Sequence, residues 1–154
     1  MDSGKTTWCR RNLVDREGNS CDGLLLPRVY ESGRRVGYDA LRISTRLAVP
    51  FARIEGFEPP EWVPAERIGP FSIDREARRT ANRWIRESCL EDIPGLVIDE
   101  VGPLEIQGGG LEAGLRFALD RWGPDKELYL VVRSGLVDKV AGKFYIRNFR
   151  LVEV

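Results

Sequence analysis

Ser3-Gly4-Lys5-Thr6-Thr7 opens the chain and runs into a helical pattern. The stretch has the closing half of a phosphate-binding loop, G-x-x-x-x-G-K-[ST]. In such a loop, backbone N–H groups wrap the phosphates, the lysine reaches the β/γ oxygens and the hydroxyl holds Mg²⁺. Ser3, Gly4, Lys5 and Thr6 stand at those positions. The opening glycine of the motif, and the strand that feeds it, would lie upstream of Met1. The reading therefore expects Met1 to be an internal residue or a truncation point. A short apolar strand and a glycine should begin roughly 8–12 residues earlier.

Gly-Lys-Thr alone is weak, because a GK[ST] tripeptide arises by chance in roughly one chain in ten of this size. An ordinary helix start would use the same residues, with Ser3 as N-cap and Thr6 in the first turn. A second element separates the two readings. Leu96-Val97-Ile98-Asp99-Glu100 is an apolar run ending in two acids, after a turn signal at Pro94-Gly95. Asp99 at the end of a buried strand can hold Mg²⁺, directly or through water, and Glu100 can orient an attacking water. The alternative for the pair is a solvated strand end. Both elements together, in this order, favour a nucleotide site.

Composition narrows the chemistry. A chain of 154 residues, 42% hydrophobic and 31% charged, reads as one globular domain. Lys+Arg and Asp+Glu balance at 24 each, so net charge offers no case for nucleic acid or an anionic membrane. No apolar run approaches the ~20 residues of a spanning helix, and no signal peptide is evident. Cys9, Cys21 and Cys89 are far apart and unaccompanied by histidine, which argues against a metal finger or disulfide framework and fits a cytoplasmic setting. The lack of histidine removes Ser-His and Cys-His catalysis, whereas phosphoryl transfer needs no imidazole.

Patterning places the motifs. A helix is expected from Thr6 to about Arg16, stopping near Gly18, with Trp8 and Leu13 inward. Gly23–Leu26 reads as a strand. Val29-Tyr30 and Val36-Gly37-Tyr38 read as a hairpin about Glu31-Ser32-Gly33. Leu47–Phe51 is a short apolar segment. The proline-rich stretch 55–66, with Trp62, reads as a surface loop or, alternatively, a lid. Ile68–Ile73 is a strand, and Asp74 caps a helix to about Cys89 whose buried face is Ala77, Ala81, Trp84, Ile85 and Cys89. The arginines between them read as a solvated face. Gly108-Gly109-Gly110 is a flexible break before a helix at Leu111–Arg121. Leu128–Val132 reads as a buried parallel strand ending at Arg133. Val137–Ala141 is a short helix and Phe144–Val154 a last extended segment. Alternating strands and helices predict an α/β layered domain with a mainly parallel sheet, whose ligands bind outside the carboxyl ends of the strands. Gly4–Thr6, Asp99-Glu100 and Arg133 all fall at such ends.

Three blocks resemble the THEP1-type nucleoside triphosphatases, a family of small P-loop NTPases. They are Ser3–Thr7, Gly33-Arg34-Arg35-Val36-Gly37-Tyr38-Asp39 and Val97-Ile98-Asp99-Glu100-Val101-Gly102-Pro103-Leu104-Glu105. The last is similar to the family's strand-D-E-x-G-x-x-E signature and is the most specific. Leu26-Pro27-Arg28-Val29-Tyr30 stands where the family often carries a polar T-x-E-V-R-like segment. The resemblance implies a three-layer P-loop fold with its first strand missing here, and so a single domain over 1–154 that is incomplete at its N-terminus. It also implies Mg²⁺-dependent hydrolysis of nucleoside triphosphates with loose base preference. By position, Lys5 would bind the β/γ phosphates, Thr6 would ligate Mg²⁺ and Thr7 would contact the α-phosphate. Asp99 would help hold Mg²⁺, and Glu100 would be the catalytic base. Glu105 matches the motif without an assigned role.

Hydrolysis would proceed by in-line attack of a water held by Glu100, with Arg133 either an internal arginine finger or a surface charge closing a strand. A small-molecule kinase would use the same loop but needs an acceptor pocket, which the sequence does not identify. A nucleotide-binding switch or accessory module without turnover is the reading from another class. Protein partners and the preferred base are not legible.

Overall fold

A computed structural model describes residues 4–15 and 21–154; Ser3 and the expected helix end at Arg16–Gly18 fall outside them. Helix α1 (Lys5–Cys9) continues into a wider, π-type turn at Arg10–Val14. The strands are β1 (Cys21–Leu25), β2 (Arg28–Glu31), β3 (Arg34–Arg42), β4 (Ala48–Ile54), β5 (Pro64–Ile68) and β6 (Phe71–Asp74). Helix α2 (Arg75–Leu90) and strand β7 (Gly95–Val101) follow, then α3 (Pro103–Ile106), α4 (Glu112–Arg121), β8 (Glu127–Val132) and α5 (Val137–Lys143). One eight-stranded sheet runs β5-β6-β4-β3-β1-β7-β8, with β2 paired to β3.

Strand alternation builds the layers. Successive side chains of a strand face opposite sides. Leu24, Leu96 and Ile98 face one way and pack with Ala81, Trp84 and Ile85 of α2, Leu115 and Ala118 of α4, and Val140 of α5. Leu25 and Val97 face the other way, against Cys9 and Leu13. Helices therefore cover both faces of β1 and β7, which is the expected three-layer arrangement. Gly23 lets β1 and β7 approach: its φ is +122°, and a Cβ there would sit 2.1 Å from the Val97 carbonyl oxygen.

The expected parallel sheet is confined to the site-bearing strands. β1 pairs parallel with β7, and β7 with β8. Beyond β1 every pairing is antiparallel, so most of the sheet is a meander. Connections too short to carry a crossover helix force this direction: Ser32-Gly33 joins β2 to β3 with φ +48° and +77°, the two positive values of a type I′ hairpin turn. The stretch read as one strand at Ile68–Ile73 instead spans the turn of a second hairpin, from Ile68 at the end of β5 through Gly69-Pro70 into β6. The hairpin's outer strand, from Pro64, is the sheet edge, where proline is tolerated. Just before β5, Trp62 is pinned by Nε1 donating to the Ser72 hydroxyl at 2.8 Å, so this part of the proline-rich stretch is a tethered surface connection.

Three other expectations change. The apolar β8 was expected to be buried, yet it ends the row of described strands and five of its six residues are only half-buried. Gly108–Gly110 is a pinned turn, with the Gly109 N–H donating to the Leu104 carbonyl at 2.8 Å and the Gly110 N–H to Glu66 Oε1 at 2.8 Å. Phe144–Val154 forms no strand. Helix α2 follows its pattern closely: the Asp74 carboxylate accepts the Ala77 N–H at 2.9 Å, and Ala77, Ala81, Trp84, Ile85 and Cys89 are all buried.

Candidate nucleotide site

The site forms where α1 begins and β7 ends. Gly4 takes a left-handed φ of +67°, which turns the chain into the helix, and its carbonyl accepts the Trp8 N–H at 2.7 Å. This start directs Thr6 across the end of the sheet. Its hydroxyl donates to Asp99 Oδ2 at 2.8 Å, joining two segments 93 residues apart. Lys5 is half-exposed beside it and Thr7 is exposed.

Asp99 is fully buried. Besides Thr6, Oδ2 accepts the Leu26 N–H at 3.1 Å, while Oδ1 accepts the Glu100 N–H at 2.9 Å. Burial pushes the Asp99 carboxyl up to about 6, against the lowering effect of the Leu26 and Thr6 hydrogen bonds; the neighbouring Glu100 charge adds to the rise. Glu100 itself is half-buried at φ +56°, and the β7–β8 register shifts between Ile98 and Val101. A glutamate in the left-handed region stores roughly 1–3 kcal/mol of strain, a feature that concentrates at functional sites. Strand alternation alone sends Asp99 and Glu100 apart; the left-handed φ and the register shift break that alternation at the strand's end.

Glu105 is buried and bridges backbone. Oε2 accepts the Gly102 N–H and Oε1 the Leu111 N–H, each at 2.8 Å. Burial raises its carboxyl above the usual range, opposed by these two amides. It ties the turn after Glu100 to the end of the glycine loop. Arg133 lies exposed just past β8, whose Val132 pairs with Val101, and among the described residues no hydrogen bond or ion pair joins it to Thr6 or Asp99. Thr6 and Asp99 are thus brought into contact, Lys5 and Glu100 flank them in sequence, and Arg133 stands one strand away. The Leu26 amide and the bridging role of Glu105 had no sequence signal, since one is backbone and the other accepts only from backbone.

A P-loop NTPase is the class that this fold and site define. The family model described as NTPase matches residues 1–154, and the chain belongs to that family, the THEP1-type nucleoside triphosphatases. It is 29% identical over 123 residues to nucleoside-triphosphatase THEP1 of Methanopyrus kandleri, covering 79% of this chain and 64% of that one. It is 30% identical over 109 residues to the human cancer-related nucleoside-triphosphatase, covering 67% of this chain and 56% of the relative. The chain thus spans somewhat less than two thirds of these relatives. Two solved structures share the fold: a human cancer-related nucleoside triphosphatase (TM-score 0.58, 24% identity, 91% of this chain and 78% of that one) and THEP1 from Aquifex aeolicus (TM-score 0.59, 14% identity, 94% and 77%). Among the described residues, no helix is long and apolar enough to cross a membrane.

Proposed function

We propose that the chain binds a nucleoside triphosphate at Gly4–Thr7 and hydrolyses it to diphosphate and phosphate. The supporting observation is the 2.8 Å hydrogen bond between the Thr6 hydroxyl and Asp99, which unites the phosphate-loop helix with the acidic strand end. Two hard oxygen donors in contact suit Mg²⁺, which prefers one or two carboxylates plus substrate phosphates over an all-protein cage. Thr6 and Asp99 would hold that ion, which would supply charge neutralisation on the β/γ oxygens. The Leu26 and Glu100 amides keep the Asp99 carboxylate oriented for this task.

Lys5 would place its ammonium on the β/γ oxygens, and Thr7 would meet the α-phosphate. Glu100, at the bulge that ends the strand, would accept the hydrogen bond of the attacking water. Arg133 would approach the developing charge from the end of β8. Base discrimination is expected to be loose.

Lys5→Ala tests the binding half. ATP affinity should fall at least tenfold and phosphate release should vanish, with the circular-dichroism spectrum unchanged. Unchanged ATP affinity would reduce the segment to a helix start.

A further inference from the structure

Two arginine-lined grooves lie outside the nucleotide site, and their electrostatics differ. One runs along α2 beside the glycine loop and is lined by Arg78, Arg79, Arg83 and Arg86. Most of its charge is met internally: Arg78 pairs with Glu66 at 3.5 Å, Arg79 with Glu76 at 2.6 Å and Arg83 with Glu87 at 3.6 Å. That groove reads as a solvated helix face. The second, about 450 Å³, is lined by Arg28, Tyr30, Arg34, Arg35, Ile54, Pro70 and Phe71. Among the described residues, no carboxylate lines it.

In the second groove, neither Arg34 nor Arg35 forms an ion pair with a described residue. Arg34 sits in register with Glu31 across the hairpin without a salt bridge. The Arg35 guanidinium is held over the rings of Tyr38 and Phe71, 5.5 and 5.3 Å from their centroids. It is pre-set in direction while its N–H edge stays available, which lowers the ordering cost of taking a ligand. Tyr30, in register with Arg35, is 52% exposed and offers a ring face at the rim. Position adds meaning: the Leu26 amide holds Asp99, and Arg28 follows two residues later, within about 7 Å of backbone reach. The groove therefore opens at the same end of the sheet as the nucleotide site.

We propose that this groove is a second anion site, which binds phosphate groups of a ligand other than the nucleotide held at Lys5 and Thr6. Guanidinium forks match phosphate oxygens in pairs, and Arg34 and Arg35 side by side along one open groove suit a ligand with more than one phosphate. Two sources carry that chemistry: a phosphorylated small molecule, and the backbone of a single-stranded oligonucleotide with a base on Tyr30. The proposal stands on the groove alone and does not depend on turnover at Glu100.

The test uses a Lys5→Ala background, which disfavours the phosphate loop as the anion site. Pyrophosphate binding is measured by calorimetry, and binding of a fluorescein-labelled ten-nucleotide oligo(U) by anisotropy, both at low salt. Lys5→Ala should bind at least one probe, and adding Arg34→Glu should weaken that binding about tenfold. Arg34 is exposed at the hairpin tip, so the spectrum and melting temperature should hold. Binding of pyrophosphate alone identifies a small phosphorylated ligand; binding of oligo(U) identifies a nucleic-acid strand. No binding of either probe in Lys5→Ala, or a weakening below threefold on adding Arg34→Glu, overturns the proposal.

Discussion

Replacing Glu105 with alanine should destabilise the fold far more than a surface-like motif position would. Its two carboxylate oxygens accept the buried Gly102 and Leu111 amides, both at 2.8 Å. Truncation leaves both donors without a partner, each costing about 1–3 kcal/mol. Some of that is offset, because burial disfavours the ionised carboxylate that is removed. A net loss of about 3 kcal/mol is expected. For a domain of this size, that lowers the melting temperature by about 6–12 °C. Glu105→Gln keeps one acceptor oxygen but turns a donor toward the other amide, so its loss should be intermediate. Thermal unfolding followed by circular dichroism gives the size, and amide exchange at Gly102 and Leu111 gives the place. A melting temperature for Glu105→Ala within about 2 °C of the parent, with both amides still protected, would refute the bridging role.

Two further outcomes follow from buried groups. Burial pushes the Asp22 carboxyl up, but hydrogen bonds from Ser88 and from the Ser44 and Gly23 backbone bring it below the usual range. Its contribution is therefore complete above the unfolded value near 4 and is lost as pH falls further. Asp22→Asn should cost about 3 kcal/mol at pH 7, since Arg42 loses one of its three carboxylate partners, and the gap should narrow in urea melts at pH 3. A gap independent of pH would contradict this. Burial raises all three thiols, Cys9 to about 12, and Cys9 and Cys89 are enclosed while Cys21 is half-buried. Native labelling with a thiol reagent at pH 8 should reach Cys21 first, and the others only after unfolding; early labelling of Cys9 would place α1 off the sheet.

Local pattern was legible where one face of one element decides it. Asp74 and the 3.6 spacing of Ala77 to Cys89 specify α2 without reference to neighbours, and Ser32-Gly33 specifies its hairpin. What needed the whole fold was not legible. Leu128–Val132 is as apolar as a central strand, and its half-exposure depends on what lies beside it. Strand direction across the sheet depends on connection lengths that composition hides. At the site, the Lys5–Thr6 and Asp99-Glu100 motifs announced themselves by residue type. The bulge at Glu100, the Leu26 amide on Asp99 and the Glu105 bridge are backbone geometry, which side-chain patterns do not encode.

The most direct measurement is steady-state phosphate release from Mg²⁺-ATP by Glu100→Gln beside the parent, with ATP affinity measured in parallel. The substitution keeps size and hydrogen bonding and removes the charge that would draw the water's proton. Loss of such a base costs about 10²–10⁴ in rate. Affinity should stay within about threefold of the parent while turnover falls at least roughly a hundredfold. Near-parental phosphate release by Glu100→Gln would contradict the account.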